Sequence, residues 1–311
     1  MTQPVQNLTN LGPSLSHSSS RVTLGAVVVT HNRCQRLQRW LDCIAQQSLA
    51  PDEILVIDNG STDGTSAMLA ERYPSVCVFR SEVNTGSAGG GQLALEQAVA
   101  RGFDWFFAFD DDAFPQPEAM EKTYALAQAR LAAGEKIGMV WMPFSDLGGW
   151  MWNGTKRPVS LQEASAGGKQ AFQVDQIDLN MTLLSRPLVE KIGVPRGDFF
   201  MMMWANEYCL RAQAAGYTIV VMPEVLCVHE HAGSTTGGEW RTYYQTRNHL
   251  RMVLERRLWR ELFWCLGRQA RFLAATLLRG PTRVRRLTYR LRGMWDGLRG
   301  KTGLVIRPPG K

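Results

Sequence analysis

Three consecutive carboxylates, Asp110, Asp111 and Asp112, follow directly after the apolar run Trp105–Phe109. Hard divalent cations such as Mg²⁺ and Mn²⁺ prefer oxygen ligands, and they need only one or two protein carboxylates when they also bridge phosphates. Adjacent carboxylates repel one another, so a bound cation would relieve a real cost. The triplet therefore predicts a divalent-metal site, and a solvated acidic turn is the alternative.

Two further polar loops follow short apolar runs earlier in the chain. Thr30, Asn32 and Arg33 come after the β-branched run Val22–Thr30, and Asp58 opens a Gly- and Ser-rich loop after Glu53–Asp58. Glycines permit tight turns, and a carboxylate at a strand end is well placed to accept hydrogen bonds from a nucleobase. The alternative interpretation is a turn followed by a helix cap.

A third loop, Asn84–Gly91, is rich in glycine and opens a helical segment. Backbone N–H groups at the beginning of a helix can bind phosphate, with Gly86 and Gly89 allowing close approach. The loop follows the third predicted strand and does not match the spacing of the Walker or dinucleotide-binding fingerprints.

The elements that carry these loops alternate between strands and helices. Helical spacing of apolar residues alternates with short β-branched runs, which predicts a parallel sheet with helices on both sides. In such sheets ligands bind beyond the carboxyl ends of the strands. The predicted strands are Val22–Thr30, Glu53–Asp58, Val76–Arg80 and Trp105–Phe109, and the predicted helices are Arg33–Gln47, Ser61–Arg72 and Gly91–Arg101.

Composition limits the classes of protein. The 311 residues are 45% hydrophobic with a net charge of +7, enough for one large α/β domain and suited to anionic partners. The six cysteines form no CxxC pair and lie in apolar segments, which favours buried free thiols over disulfides or zinc ligands. No signal peptide is evident, and no apolar run reaches the roughly 18–20 residues of a membrane span. We expect a cytoplasmic protein.

Taken together and in this order, the motifs resemble the family 2 glycosyltransferases from about Thr23 to about Leu254. The resemblance implies a GT-A fold, with a Rossmann-like, mostly parallel sheet flanked by helices and a C-terminal helical extension. It also implies that Asp110 and Asp112 bind Mn²⁺ or Mg²⁺. The implied nucleotide-sugar site consists of Thr30, Asn32, Arg33, Asp58, Asn84, Gly86, Gly89, Asp110 and Asp111. Within it, Thr30 and Asp58 would contact the nucleobase.

The segment Phe199–Arg211 resembles the acceptor-side motif of this family but departs from it at one place. The family's acidic pair is replaced by Trp204 and Ala205, so Glu207 is the candidate general base. An ion pair of Glu207 with Arg211, four residues later on a helix, is the alternative role.

Later residues complete the implied site. The resemblance makes His229 and His231 candidate metal ligands, with a structural role as the alternative for each. Tyr243 and Tyr244, followed by Arg247, resemble the bacterial rhamnosyl- and galactofuranosyl-transferase branch. Arg247 could then pair with a phosphate.

The chain is expected to divide into a disordered tail (1–21), a GT-A domain (22–250) and a basic amphipathic helical region (251–311). From Arg256 to Arg299 the arginines are interleaved with aromatic and leucine residues and opposed only by Glu261 and Asp296. Such a pattern suits an anionic membrane surface. A helical subdomain with a solvated basic face is the alternative, and no nucleic-acid module is recognisable.

The expected function is an inverting, metal-dependent transfer of galactofuranose or rhamnose from a UDP or dTDP donor. The acceptor would be lipid-linked or a polysaccharide in cell-surface glycan synthesis, and the protein would lie at the inner face of the plasma membrane. Two alternatives stay open. One is a non-catalytic sugar-nucleotide-binding or partner subunit, which the missing acidic pair motivates, and the other is a Rossmann oxidoreductase.

Overall fold

The computed structural model of the chain describes residues 9–10, 21–145, 147–152, 156–164, 171–230, 238–277 and 282–307. The candidate ligand His231 and most of the expected N-terminal tail lie outside these residues. The strands are β1 (Thr9–Asn10), β2 (Leu24–Thr30), β3 (Glu53–Asp58), β4 (Cys77–Arg80), β5 (Trp105–Asp110), β6 (Ala113–Pro115), β7 (Ile137–Trp141), β8 (Leu147–Trp152), β9 (Lys156–Ser160), β10 (Phe172–Gln173), β11 (Thr182–Ser185), β12 (Thr218–Val221) and β13 (Cys227–His229). The helices are α1 (Cys34–Ala45), α2 (Thr65–Arg72), α3 (Gly86–Ala100), α4 (Ala119–Ala132), α5 (Leu161–Ala164), α6 (Arg186–Ile192), α7 (Trp204–Ala214), α8 (Arg241–Glu255), α9 (Trp259–Leu277) and α10 (Thr282–Leu298).

The main sheet is mixed, in the order β1-β4-β3-β2-β5-β11-β7-β12-β10. Strands β4, β3, β2 and β5 are parallel, as expected from the sequence. Strand β11 lies antiparallel between β5 and β7, and the edge strands β1 and β10 are antiparallel to their neighbours. The other six strands of this sheet point in one direction, so the sheet is mixed but mostly parallel, as the resemblance implied.

The parallel half brings the polar strand ends together. Thr30 lies opposite Asp58, Asp58 opposite Arg80, and Val29 opposite Asp110. These strands are apolar on both faces because α1 covers one side, with Leu37 and Trp40 buried, and α3 covers the other. The short two-stranded pair β13–β6 then places its end beside β5.

Helix α3 begins at Gly86, five residues before the beginning that the sequence predicts. Its glycines fit where side chains would collide. A Cβ on Gly90 would lie 2.5 Å from the Val29 side chain, and one on Gly91 would lie 2.7 Å from the Trp204 ring. Low intrinsic helix propensity is therefore overridden by close packing on the sheet and on α7.

The C-terminal helices are tied to the rest of the chain through α8. Gly293 and Gly297 of α10 lie against the backbone of α8, and the Tyr243 hydroxyl donates to Asp296 at 2.7 Å. Residue 250, the expected domain boundary, falls inside α8. Within the described residues, no helix is both long enough and apolar enough to cross a bilayer.

Gly86 provides a test of the packing of α3. It has a φ of +77°, and a Cβ there would lie 2.0 Å from the Phe200 carbonyl oxygen. We expect Gly86→Ala to lower the free energy of unfolding by about 2–4 kcal/mol, since strain and overpacking add. The control is Gly64→Ala, whose φ is +86° but which has open space around it, and which should cost about 1 kcal/mol. Equal losses in urea unfolding would contradict this account.

Candidate functional site

The acidic triplet lies at the end of β5 and in the turn before β6. The Thr30 hydroxyl donates to Asp111 at 2.7 Å, and the Arg33 guanidinium donates to Asp111 at 2.6 Å and to Asp112 at 3.0 Å. Asp111 and Asp112 are 2% and 6% exposed, so each is largely removed from water. The loop after β2 thus supplies the charge that holds two of the three carboxylates in place.

His229 reaches the same place from the end of β13. Its backbone lies opposite Ala113, and its Nε2 is 3.1 Å from Asp112 Oδ1. Burial lowers the pKa of His229, but the hydrogen bond to Asp112 and the charges of Asp110 and Asp178 outweigh it and raise the pKa above its ordinary value. The next amide, of Glu230, donates to the Asp112 carbonyl at 2.9 Å.

The carboxylates are hard to ionise together. Burial, followed by the charges of Asp178, Asp112 and Asp111, raises the pKa of Asp110 to about 8. Burial also raises the pKa of Asp111, against the opposing effect of Arg33. A cation bound at this place would therefore lower a cost that the folded chain already bears.

The donor set suits a hard or borderline divalent cation. Among the described residues, no group of three or more His, Cys, Asp or Glu side chains is arranged to hold a metal ion. Asp112 Oδ1 and His229 Nε2 nevertheless face each other across 3.1 Å, which provides one oxygen and one nitrogen ligand. Mg²⁺ and Mn²⁺ are commonly held by one or two protein ligands with the rest supplied by phosphates and water.

Asp58 is fully buried, and both of its oxygens are engaged. Oδ1 accepts from the Ser61 amide at 2.8 Å, while Oδ2 accepts from Ser66 at 2.9 Å and from Arg80 at 2.6 Å. The Asn32 side chain accepts from the Thr62 amide at 2.6 Å. Asn32 thus joins the loops after β2 and β3, while Asp58 fixes its own loop and binds Arg80 of β4, which is close to the turn-and-cap role given as the alternative.

Asn59 is a residue whose importance the sequence did not reveal. Its side chain accepts from the Thr85 amide at 3.0 Å and donates to the Gly86 carbonyl at 3.0 Å. Its own amide donates to the Thr30 carbonyl at 2.9 Å. Asn59 therefore connects the ends of β2, β3 and β4, and its position directly after Asp58 in a strand-end loop was the available signal.

The glycines of the loop Asn84–Gly91 allow close contacts with other parts of the protein itself. The Asn84 side chain accepts from the Gly86 amide at 2.8 Å, which closes the beginning of α3. A Cβ on Gly86 would meet the Phe200 carbonyl, and one on Gly89 would lie 2.5 Å from Thr85. The expectation that Gly86 and Gly89 make room for a donor is thus replaced by a packing role, because the chain itself fills the space.

Glu207 lies in the first turn of α7 and is 3% exposed. Arg211 donates to one carboxylate oxygen at 3.0 Å, and Arg256 donates to the other. Both carboxylate oxygens of Glu207 are therefore engaged by guanidinium groups. The structure thus shows the ion pair that was the alternative role, and it shows Glu207 without an open oxygen for an acceptor.

Arg247 does not reach the acidic triplet. It is fully buried in α8, where Nη1 donates to the Gly303 carbonyl at 2.8 Å and Nη2 donates to the Phe199 carbonyl at 2.9 Å. Its guanidinium also lies 4.9 Å from the centre of the Tyr244 ring. The phosphate pairing expected for Arg247 is corrected by this geometry, because the side chain holds α8 to the C-terminal segment and to the loop before α7.

Other charged residues stand at the triplet instead. Arg36, one turn after Arg33 on α1, lies 4.0 Å from Asp112. Arg241 begins α8, and burial lowers its pKa while the nearby charge of Arg33 lowers it further. Asp178 acts on both Asp110 and His229. The spacing of Arg33 and Arg36 was a usable signal, whereas Arg241 and Asp178 are brought in by tertiary structure alone.

Comparison with known proteins identifies related sequences. Residues 26–156 match the family model described as Glycosyl transferase family 2. The galactofuranosyltransferase GlfT1 of Mycobacterium tuberculosis is 34% identical over 136 residues, which cover 37% of this chain and 45% of the relative. The dTDP-rhamnosyl transferase RfbF of Shigella flexneri is 21% identical over 296 residues, covering 89% of this chain and 96% of the relative. The chain thus spans about half the length of the GlfT1 relatives that it matches, 45% of the Mycobacterium tuberculosis protein and 58% of the Mycolicibacterium smegmatis protein.

Solved structures share the fold. The mannosyltransferase PcManGT of Pyrobaculum calidifontis, solved with GDP-Man and Mn²⁺, superposes with a TM-score of 0.60 at 17% identity, covering 91% of this chain and 89% of that one. Residues 1–349 of Staphylococcus aureus TarS superpose with a TM-score of 0.56 at 15% identity, covering 89% and 81%. The expected GT-A fold is confirmed, as is the resemblance to family 2 and to its galactofuranosyl and rhamnosyl members.

The role of Arg247 can be tested by stability alone. Arg247→Lys keeps the charge but cannot reproduce the guanidinium's bonds to Gly303 and Phe199, so we expect a loss of about 2–4 kcal/mol in the free energy of unfolding. The exposed Arg292→Lys is the control and should change stability by less than about 0.5 kcal/mol. An Arg247→Lys protein as stable as the parent in urea unfolding would refute the structural role.

Proposed function

From the match of residues 26–156 to the Glycosyl transferase family 2 model, we propose that the chain transfers a sugar from a nucleoside diphosphate to an acceptor hydroxyl. The reaction proposed is a single, inverting displacement that requires Mn²⁺ or Mg²⁺. The observation that supports it best is the pairing of Asp112 with His229 beside Arg33, at the carboxyl ends of the parallel strands. In open α/β sheets this edge is where ligands bind.

The donor's diphosphate is the proposed counterpart of the charged residues at this edge. Asp112 and His229 would hold the metal ion, with Asp110 close by, and a metal ion at this place neutralises charge that develops on the leaving diphosphate. Arg33 and Arg36 stand next to Asp112 and would bind the phosphate oxygens. Arg241 adds a third guanidinium near Arg33 and replaces Arg247 in this role.

The nucleoside is proposed to lie over the loops after β2 and β3. The side chains of Asn32 and Asp58 are engaged with those loops, and Thr30 is engaged with Asp111. We assign these three residues to shaping the nucleoside subsite, since their hydrogen bonds fix where the loop backbone stands. Asn59 stabilises the same loops, because its side chain accepts a hydrogen bond from the Thr85 amide just before α3.

The donor sugar is proposed to be galactofuranose or rhamnose, carried on UDP or dTDP. The names of the related GlfT1 and RfbF proteins support this choice. Another relative, 36% identical over 63 residues, is named N-acetylglucosaminyl-diphospho-decaprenol L-rhamnosyltransferase, and it supports a lipid-linked acceptor in cell-surface glycan synthesis. The competing proposal is a non-catalytic sugar-nucleotide binder, which the replacement of the acidic pair by Trp204 and Ala205 favours.

The C-terminal region is proposed to rest on an anionic membrane, at the cytoplasmic face of the plasma membrane. Along α9, Trp259 is 56% exposed, Phe263 76% and Trp264 49%. The same helix carries Arg260 and Arg271, and α10 is rich in arginine. Aromatic side chains that enter the headgroup region beside arginines are the pattern of an interfacial helix.

A donor screen tests the proposed function first. The melting temperature would be measured with UDP, dTDP and GDP, and with UDP-galactofuranose and dTDP-rhamnose, each with Mn²⁺ or with EDTA. We expect a rise with one nucleotide that requires Mn²⁺, because a ligand of the folded state stabilises it in proportion to the logarithm of its saturation. Asp112→Asn should abolish the metal-dependent part of the shift and the turnover of that donor. A metal-dependent shift without turnover of any donor would favour the non-catalytic alternative, and no shift with any nucleotide or sugar nucleotide would contradict both proposals.

The affinity for Mn²⁺ should depend on pH. The pKa of Asp110 is raised to about 8 and that of His229 is raised above its ordinary value, so protons occupy both groups near pH 6 and leave as the pH rises. Metal binding requires their unprotonated forms, and the Mn²⁺ dissociation constant with saturating UDP should fall at least about tenfold between pH 6 and pH 8. A dissociation constant that does not change over this range would contradict the assigned ligands. Measurement by titration calorimetry at both pH values is sufficient.

Membrane binding can be separated from catalysis. We expect flotation of the protein with phosphatidylglycerol-containing liposomes and little flotation with phosphatidylcholine alone. The double substitution Phe263→Ser and Trp264→Ser should reduce flotation at least about tenfold, since each removes exposed apolar surface from the interface. Leu131→Ser, on the exposed side of α4, is the control and should float as the parent does. Equal flotation with both lipid compositions would argue against an anionic surface.

A further inference from the structure

The segment that resembles the family's acceptor-side motif offers no open carboxylate. Trp204 packs over Gly91, Ala205 is buried, and Glu207 is held by Arg211 and Arg256. An acceptor hydroxyl approaching this face of α7 therefore meets apolar surface. The proton of that hydroxyl needs a base from another part of the chain.

Asp178 stands where such a base is needed. It begins the turn before β11, and this turn is fixed to the metal-proximal strand end because the Asp110 amide donates to the Asn180 side chain at 2.8 Å. The Trp141 ring N–H also donates to the Asn180 carbonyl at 3.0 Å, and the Thr182 hydroxyl donates to the Asp178 carbonyl at 2.9 Å. The backbone of the turn is therefore held at three points.

The Asp178 side chain itself is open to solvent. It is exposed, and it accepts a long hydrogen bond of 3.5 Å from the Asn180 amide. Its charge contributes to the raised pKa of both Asp110 and His229, which agrees with the position of this turn beside the end of β5. Within the described residues, Asp178 forms no ion pair with Arg211 or Arg256, the two arginines that bind Glu207.

Aromatic residues pack next to the turn that carries Asp178. Backbone hydrogen bonds of 2.9 Å in each direction join Trp150 to Gln176, two residues before Asp178. The Trp150 and Trp141 rings are 6.4 Å apart, Trp141 and Phe144 are 6.1 Å apart, and the Phe144 ring lies 4.9 Å from that of His229. Trp150 and Phe144 are half-buried, so each keeps part of its side chain accessible.

We propose that Asp178 is the general base of the transfer and that the acceptor's sugar ring lies against Phe144 and Trp150. The acceptor oxygen forms a bond to the anomeric carbon while the bond from that carbon to the diphosphate oxygen breaks. The acceptor proton passes to the Asp178 carboxylate, and the nucleoside diphosphate leaves with the bonding electrons. The inference rests on the proposed function and adds to it the carboxylate and the acceptor subsite.

The test compares Asp178→Asn with Asp175→Asn. Asp175 lies in the same segment, is half-buried and accepts a hydrogen bond from Gln213 at 2.8 Å, so it is a matched control of charge and location. Release of the nucleoside diphosphate from UDP-galactofuranose and dTDP-rhamnose would be measured with Mn²⁺, both with water as acceptor and with octyl glycosides. The affinity for UDP with Mn²⁺ and the melting temperature would be measured for each variant.

For Asp178→Asn we expect kcat to fall by about 10²–10⁴-fold, with UDP affinity and melting temperature unchanged. Asp178→Glu should recover part of kcat, and Asp175→Asn should transfer at the parent rate. Parent-like turnover by Asp178→Asn overturns the assignment, and so does a loss of turnover that is matched by weaker binding of UDP and Mn²⁺.

Failure of the two proposals can be told apart. If the parent protein turns over neither donor, the proposed function fails and the assignment of Asp178 fails with it. If the parent is active and Asp178→Asn is equally active, only the base assignment fails. The aromatic subsite is tested in the same assay by Trp150→Ala, which should raise KM for the octyl glycosides at least about fivefold and leave the KM for the donor unchanged.

Discussion

The placement of three carboxylates at the end of a buried strand is the constraint on which this site depends. Like charges at such short separation, largely shielded from water, must be neutralised by protons or by positive partners. Arg33 and His229 supply these partners from opposite sides, and Thr30 adds a hydrogen bond. These contacts hold the loop after β2 and the β13–β6 pair against the end of β5. The need to neutralise the carboxylates therefore also determines the shape of the cleft.

A second group of contacts makes that cleft rigid. Asn59 joins three loops at the strand ends, and the glycines of α3 allow its first turn to lie against Phe200 and Trp204. Arg247 then fastens α8 to the carbonyl of Phe199. Because these contacts share the segment before α7, they link the beginning of α3, the beginning of α7 and the C-terminal helices to one another. Preorganised polar groups of this kind cost little to reorganise during a reaction.

The substitutions at Trp204 and Ala205 change how the acceptor half is understood. They turn the beginning of α7 into a packing surface for α3, and Glu207 becomes part of a buried ion pair. The carboxylate that we propose as the base instead is Asp178, which is exposed in the turn before β11. With the exposed aromatic side chains of α9, these features fit an acceptor with a sugar headgroup and a lipid anchor, which would reach the cleft from a membrane surface.

The sequence by itself determined the α/β class, the strands β2 to β5, and the position of the acidic triplet at a strand end, because local periodicity and strand-end polarity encode all three. It also indicated Arg33 and His229 through the family motif. Only the tertiary structure decided the antiparallel direction of β11, the early beginning of α3, and the binding partners of Glu207 and Arg247. These depend on contacts between residues far apart in the chain. In sequence, a glycine-rich helix beginning looks the same whether its partner is a phosphate or a backbone carbonyl, and so does an arginine near two tyrosines. The packing of the folded chain determines which partner is present.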